Sequence, residues 1–173
     1  ATGLLNSVGI KAYPVIISTR KHGKIKYDYP FKHFFNYVII VAEIDGRQVL
    51  ADATEPLCEN TKIPPRCIND KGLIIQKDKV EWVDLQCKYP SETKTTITLV
   101  NSGDNNITAL IAKSTTGYDA MHYRSSYADD PGKIKEMLES NDYSVTDSTV
   151  TIINNDEVGR PYIFSCNVTC ETE

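Results

Sequence analysis

Eight consecutive residues, Tyr37-Val38-Ile39-Ile40-Val41-Ala42-Glu43-Ile44, form a long β-type run, and Asp45-Gly46 follows at once. Glycine accepts the positive φ that a tight hairpin turn demands, so Asp-Gly between two β-type runs is a strong hairpin signal. Arg47-Gln48-Val49-Leu50-Ala51 returns as the second strand and ends at Asp52. The order predicts an antiparallel hairpin closed at Asp45-Gly46, with Asp52 at the end of its second strand. A chain built on this hairpin is committed to antiparallel sheet.

The rest of the chain groups around that hairpin. A helix over residues 2–7 is expected to stop at Gly9, a residue suited to a helix C-terminus. Strands are predicted over 11–18, 37–44 and 48–52, with short ones at 73–76 and 82–85. Residues 21–32, with Gly23 and Pro30, read as a loop beside the hairpin. A join near Cys87-Lys88-Tyr89-Pro90-Ser91 divides the chain into domains 1–87 and 88–173. In the second, Lys94-Thr95-Thr96-Ile97-Thr98-Leu99-Val100 alternates as a strand and turns through residues 101–106 into a strand over 107–114. Helices are predicted over 119–126 and 131–140, the latter with Pro131 near its first turn. Strands over 145–153 and 163–169 follow, separated by a turn at 154–160. The order β-β-α-α-β-β predicts an antiparallel sheet with helices on one face, an α+β fold.

Composition sets outer limits. With 173 residues and 40% hydrophobic content, the chain suits one medium domain or two small ones. A net charge of -4 gives no electrostatic footprint for nucleic acid, and no nucleic-acid partner is expected. No apolar run approaches a membrane span. The five cysteines, Cys58, Cys67, Cys87, Cys166 and Cys170, lack the paired spacing of a zinc site, and the three His are scattered. No metal or cofactor is therefore expected. Cys58 and Cys67 bracket a Pro-rich loop and are placed to be joined across it. The other reading makes the cysteines free thiols that behave as small apolar side chains.

Several stretches in order resemble one family. Leu4-Leu5-Asn6-Ser7-Val8-Gly9-Ile10-Lys11-Ala12-Tyr13-Pro14-Val15 resembles the end of the nucleophile-bearing helix and the following strand of the transglutaminase-like branch of the papain superfamily. The hairpin, with Asp45-Gly46 and then Asp52-Ala53-Thr54, resembles that branch's His–Asp hairpin, in which a D-x-T closes the second strand. Ser18-Thr19-Arg20-Lys21-His22-Gly23, Ile63-Pro64-Pro65-Arg66-Cys67 and Glu81-Trp82-Val83-Asp84-Leu85 fit a bacterial, usually exported, multidomain subfamily. The resemblance covers residues 4 to about 85. It implies that residues 1–87 are a partial transglutaminase-like domain, that 88–173 form a β-rich domain with two short helices, and that the protein is periplasmic or associated with the cell envelope.

The same resemblance assigns candidate site residues. Asp52 takes the family's Asp position, and Tyr37 stands where the family has its His. The Cys position, counted back from Gly9, falls upstream of Ala1. A papain-type site needs a thiolate activated by an imidazole that a carboxylate orients. A phenol titrates near 10 and takes no proton from a thiol near neutrality, though it can donate a hydrogen bond to Asp52. Tyr37 and Asp52 are thus expected side by side, facing the N-terminal helix. His33 is a second source of an imidazole if a bulge brings it into place, and Trp82 is either a packing anchor or a binding platform. Read without the family, Asp52 is a turn-capping strand-end residue and Tyr37 a sheet-face aromatic. Tyr118, His122 and Arg124 are expected as a structural cluster near a helix start. Three functions follow as expectations: a non-catalytic module binding a peptide or protein partner, a fragment of a cysteine peptidase or transglutaminase-type acyl transferase whose nucleophile lies upstream, or a structural spacer.

Overall fold

Asp45 and Gly46 both adopt positive φ, 51° and 72°, the geometry of a two-residue turn whose twist matches that of paired strands. The turn joins β2 (Tyr37–Ile44) to β3 (Arg47–Ala51) as an antiparallel pair with Ile44 opposite Arg47 and Ile40 opposite Ala51. The computed structural model describes residues 1–86, 89–101, 106–139, 144–145 and 150–171. The chain separates into two units, Ala1–Tyr89 and Pro90–Glu173. It is α+β, mostly antiparallel sheet with short helices.

In the first unit α1 (Thr2–Ser7) leads into β1 (Ala12–Ile17), and β4 (Lys71–Ile74) and β5 (Glu81–Asp84) complete a five-stranded sheet of order β3-β2-β1-β4-β5. Every neighbouring pair is antiparallel. Side chains alternate between the two faces. One face supplies Val15, Ile17, Ile39, Val41, Ile74 and Val83 to a core that Ile63, Cys67 and Leu85 complete from connecting segments. The other face carries Ala12, Ile40 and Ala42, against which Leu5 of α1 and Ile10 pack. Gly72 has no side chain for a packing reason. A Cβ there would lie 2.5 Å from Val15 Cγ1 and 2.8 Å from Ile17 Cγ2. The sheet curls around the first core far enough that side chains of its two edge strands meet, with Gln48 Nε2 3.4 Å from Glu81 Oε1.

In the second unit β6 (Thr93–Asn101) pairs with β7 (Asn106–Thr115), and β7 pairs along its length with β10 (Tyr162–Glu171). Between them come α2 (Gly117–Tyr127), α3 (Pro131–Glu139), β8 (Ser144–Val145) and β9 (Thr151–Ile153), the last two both pairing with β10. The strand expected over 145–153 is represented by these two short pieces; residues 146–149 lie outside the described residues, as do Cys87 and most of the turn at 101–106. Ala120, Ile134 and Leu138 of the helices pack on Ala109, Ile111, Tyr162, Phe164, Cys166 and Val168. The sheet residues in that group share one face by their period of two, so both helices cover the same side.

Arg124 holds the turn that joins β9 to β10. It is buried, and its guanidinium donates to the carbonyl oxygens of Asn155 from Nε at 2.9 Å, and of Asn154, Glu157 and Arg160 from Nη2 at 3.0, 3.0 and 2.7 Å. The fork of donors satisfies carbonyls of an irregular segment that has no strand partner for them. Of the residues expected as a cluster near this helix start, Arg124 has this defined task, and the His122 ring lies edge-on to Tyr123 at 6.3 Å.

Candidate functional site

Asp52 follows β3 directly, and its carboxylate, wholly removed from solvent, accepts four hydrogen bonds. Oδ1 receives the Thr54 N–H at 2.9 Å and the Thr54 hydroxyl at 2.7 Å. This is the local turn that Asp favours at a strand end. Oδ2 receives the Tyr37 phenol at 2.9 Å and Arg66 Nη2 at 3.1 Å. Tyr37 opens β2, so the hairpin brings its ring across to the residues that follow β3. Its Oη also lies 2.5 Å from Thr54 Oγ1 and accepts from Arg66 Nη2 at 2.8 Å. Arg66 comes from the short 3-10 turn Pro65–Cys67 and donates its other arm to Glu55 at 2.5 Å.

The result is a closed network of Tyr37, Asp52, Thr54, Glu55 and Arg66 at one end of the curled sheet. Both carboxylate oxygens are saturated, which is what a buried charge requires. Next to it in sequence, Cys67 is a free thiol with no solvent exposure. Burial, and then the charge of Asp52, push its pKa up to about 12. A thiol held protonated in this way is an inert core group and not a nucleophile. Cys166 is a second free, fully buried thiol, in the other unit's core.

The remaining candidates lie elsewhere. His33 sits on a short 3-10 turn, Lys32–Phe34, with its ring against Phe34 at 4.3 Å and Phe31 at 5.7 Å. No bulge carries it to Asp52, whose four donors are all accounted for by other residues. Trp82 is next to the core residue Val83 on β5 and therefore projects from the opposite sheet face to Tyr37. It packs edge-on against Tyr27 at 5.0 Å and against Phe35 at 6.4 Å, as a packing anchor does. The expectation that Tyr37 faces the N-terminal helix is also corrected. Tyr37 packs with the Ile39–Val41 core, whereas Leu5 of α1 packs with Ala12, Ile40 and Ala42 on the other face. Alternation along β2 puts those two sets on opposite sides of the sheet.

Clefts flank the curled sheet. One, about 550 Å³, lies between its edge strands and is lined by Gln48, Val49 and Leu50 of β3, by Val83, Asp84 and Gln86, and by Thr61 and Lys62. A second, about 340 Å³, is lined by Thr19, Arg20, Lys21, Pro65 and Arg66. Among the described residues no group of His, Cys, Asp and Glu is placed to hold a metal ion, and no helix is long and apolar enough to cross a membrane. Comparison of the chain with protein-family models, curated proteins and solved structures finds no match. Arg66 and Glu55 are the site residues that sequence reasoning missed. Arg66 lies fourteen positions beyond Asp52, in a Pro-rich loop with no periodic signal to say where its side chain goes.

Proposed function

We propose that the first unit is a non-catalytic module of the transglutaminase-like kind, part of an exported bacterial cell-envelope protein, that binds an extended segment of a peptide or protein partner. One observation carries the non-catalytic part of this reading: the carboxylate at Asp52 is saturated by Tyr37, Thr54 and Arg66. A carboxylate in a triad must have an oxygen free to orient an imidazole. Here a phenol and a guanidinium occupy that position, and the neighbouring thiol of Cys67 is buried. The network holds the end of the hairpin in place and performs no proton transfer.

The cleft between β3 and β5 supports the binding part. Both strands are edges of the sheet, and an edge strand presents backbone donors and acceptors that an extended peptide can pair with. Gln48, Asp84 and Gln86 on its walls add polar side chains, and Leu50 and Val83 add apolar ones. The test is photo-crosslinking with a panel of extended peptides carrying a benzophenone residue. Adducts on residues 48–50 and 83–86 that unlabelled peptide competes away are expected. Adducts scattered over the surface, or none above background, would contradict the reading.

A further inference from the structure

The segment between β1 and β2 is an Ω-type loop with a closed neck. Asn36 Oδ1 accepts the Thr19 N–H at 2.9 Å, and Asn36 Nδ2 donates to Thr19 Oγ1 at 2.9 Å. His22 Nε2 bonds the His33 carbonyl at 2.8 Å, and Gly23 O accepts from Ser18 Oγ at 2.6 Å and from Asn69 Nδ2 at 2.8 Å. Ile25 is buried beneath. Compact loops of this kind, with ends close together and packed on their own side chains, are frequently functional.

What this loop exposes is unlike the rest of the chain. Residues 20–35 hold Arg20, Lys21, Lys24, Lys26 and Lys32 against Asp28 alone, a local charge of +4 in a protein of net charge -4. Thirteen Lys and Arg against ten Asp and Glu give residues 1–89 a charge of +3, and six against thirteen give residues 90–173 a charge of -7. The whole-chain figure conceals the basic half. Lys21, Lys24, Lys26 and Lys32 are exposed and enter no ion pair among the described residues. Beside them Tyr29 and Phe31 are 67% and 59% exposed, without a core to explain two large rings at the surface. Arg20 and Lys21 also rim the 340 Å³ cleft, which Arg66 closes from the other side.

From this juxtaposition we infer that the 20–35 loop docks the first unit on an anionic lipid bilayer, its Lys and Arg side chains against lipid phosphates and Tyr29 and Phe31 in the interfacial layer. Basic residues near an anionic leaflet and aromatic rings at headgroup depth act together in this way, since neither alone anchors a protein firmly. The ring arrangement favours a bilayer over single-stranded nucleic acid. Phe31 lies near-parallel to Tyr29 at 6.5 Å and to His33 at 5.7 Å, so the three rings gather in one cluster. Successive bases each need a ring of their own to stack on, whereas insertion into an interface requires only an apolar cluster. The β3–β5 cleft plays no part in this surface, so peptide binding there and lipid docking here can fail separately.

The test is co-sedimentation of the full chain with vesicles of phosphatidylcholine alone and of phosphatidylcholine containing phosphatidylglycerol, at low and physiological salt. Binding is expected only with phosphatidylglycerol, weakening as salt rises. Lys24→Ala with Lys26→Ala should lower the partition coefficient roughly thirtyfold, at about fivefold for each basic residue near the surface. Tyr29→Ser with Phe31→Ser should abolish what remains at physiological salt. These positions are exposed, and unchanged Trp82 fluorescence in buffer verifies that each variant is folded. Equal binding to both vesicle types, no binding at low salt, insensitivity to the aromatic pair, or tighter binding of a single-stranded oligonucleotide than of anionic vesicles would each overturn the inference.

Discussion

Asp52→Asn is the most informative single change, because it alters charge and donor pattern with almost no change in shape. The native carboxylate faces four donors, two on each oxygen. An amide has one oxygen, so in either orientation its NH2 confronts two groups that were donating to Asp52. Opposite Tyr37 and Arg66 the phenol can turn to accept while the Arg66 bond is lost, and opposite Thr54 the hydroxyl can turn while the N–H bond is lost, so either orientation breaks one bond. Breaking a buried ion pair from one side costs about 3–5 kcal/mol. The Arg66 side chain is 41% exposed and keeps its bond to Glu55, so its released charge reaches water and the lower end applies, about 3 kcal/mol. For a unit spanning Ala1–Tyr89 each kcal/mol moves the midpoint by about 4–8 °C, which gives a fall of roughly 12–24 °C. Trp82, the protein's one tryptophan, belongs to this unit and reports its unfolding separately from the rest of the chain. Urea and thermal unfolding followed by Trp82 emission should show this loss with the urea m-value unchanged. A loss under about 1 kcal/mol would mean that the network holds nothing in place, and the argument from saturation would go with it.

Three further outcomes are expected. Gly72→Ala pushes a methyl group into Val15 and Ile17 and should cost about 1–3 kcal/mol, read by the same Trp82 unfolding curve. Arg124→Lys loses the fork that serves four carbonyls, so it should destabilise the second unit by about 2–4 kcal/mol and speed amide exchange in residues 154–160. The stability that depends on keeping Cys67 and Tyr162 protonated should be full below pH 9 and fall as pH rises from 9 toward 12. Burial holds Cys67 and Tyr162 protonated to about 12 when folded, whereas the unfolded groups release their protons at about 9 and 10. The folded state then binds more protons than the unfolded one, so stability declines with rising pH. Urea midpoints at pH 8 and 10.5 measure it, and Cys67→Ala should flatten the part seen by Trp82.

The hairpin was legible because everything that makes it is local: an apolar β-branched run, a dipeptide that tolerates positive φ, and a second, shorter run after it. The Tyr37–Asp52 contact was expected from the family resemblance, which put Tyr37 and Asp52 at neighbouring positions of one hairpin. What the sequence did not disclose is non-local. Arg66 reaches Asp52 from a Pro-rich turn, and no spacing rule points its side chain there. The face covered by α1 was equally hidden. Six helical residues with adjacent Leu4 and Leu5 do not define an apolar stripe, and the structure leaves Leu4 exposed while Leu5 packs. The basic loop was hidden for another reason: a single net charge averages a basic first half with an acidic second half.

In the function proposed for this unit, the Asp52 cluster is structural and supports no thiol chemistry. The most direct test is to expose the native chain to a thiol-directed peptide electrophile at pH 7.5 and locate adducts by mass spectrometry over time. No adduct on Cys67 is expected while the protein stays folded, and labelling there only after urea unfolds the first unit. Rapid, saturable labelling of Cys67 in the folded protein, abolished by Tyr37→Phe or His33→Ala, would contradict that structural role.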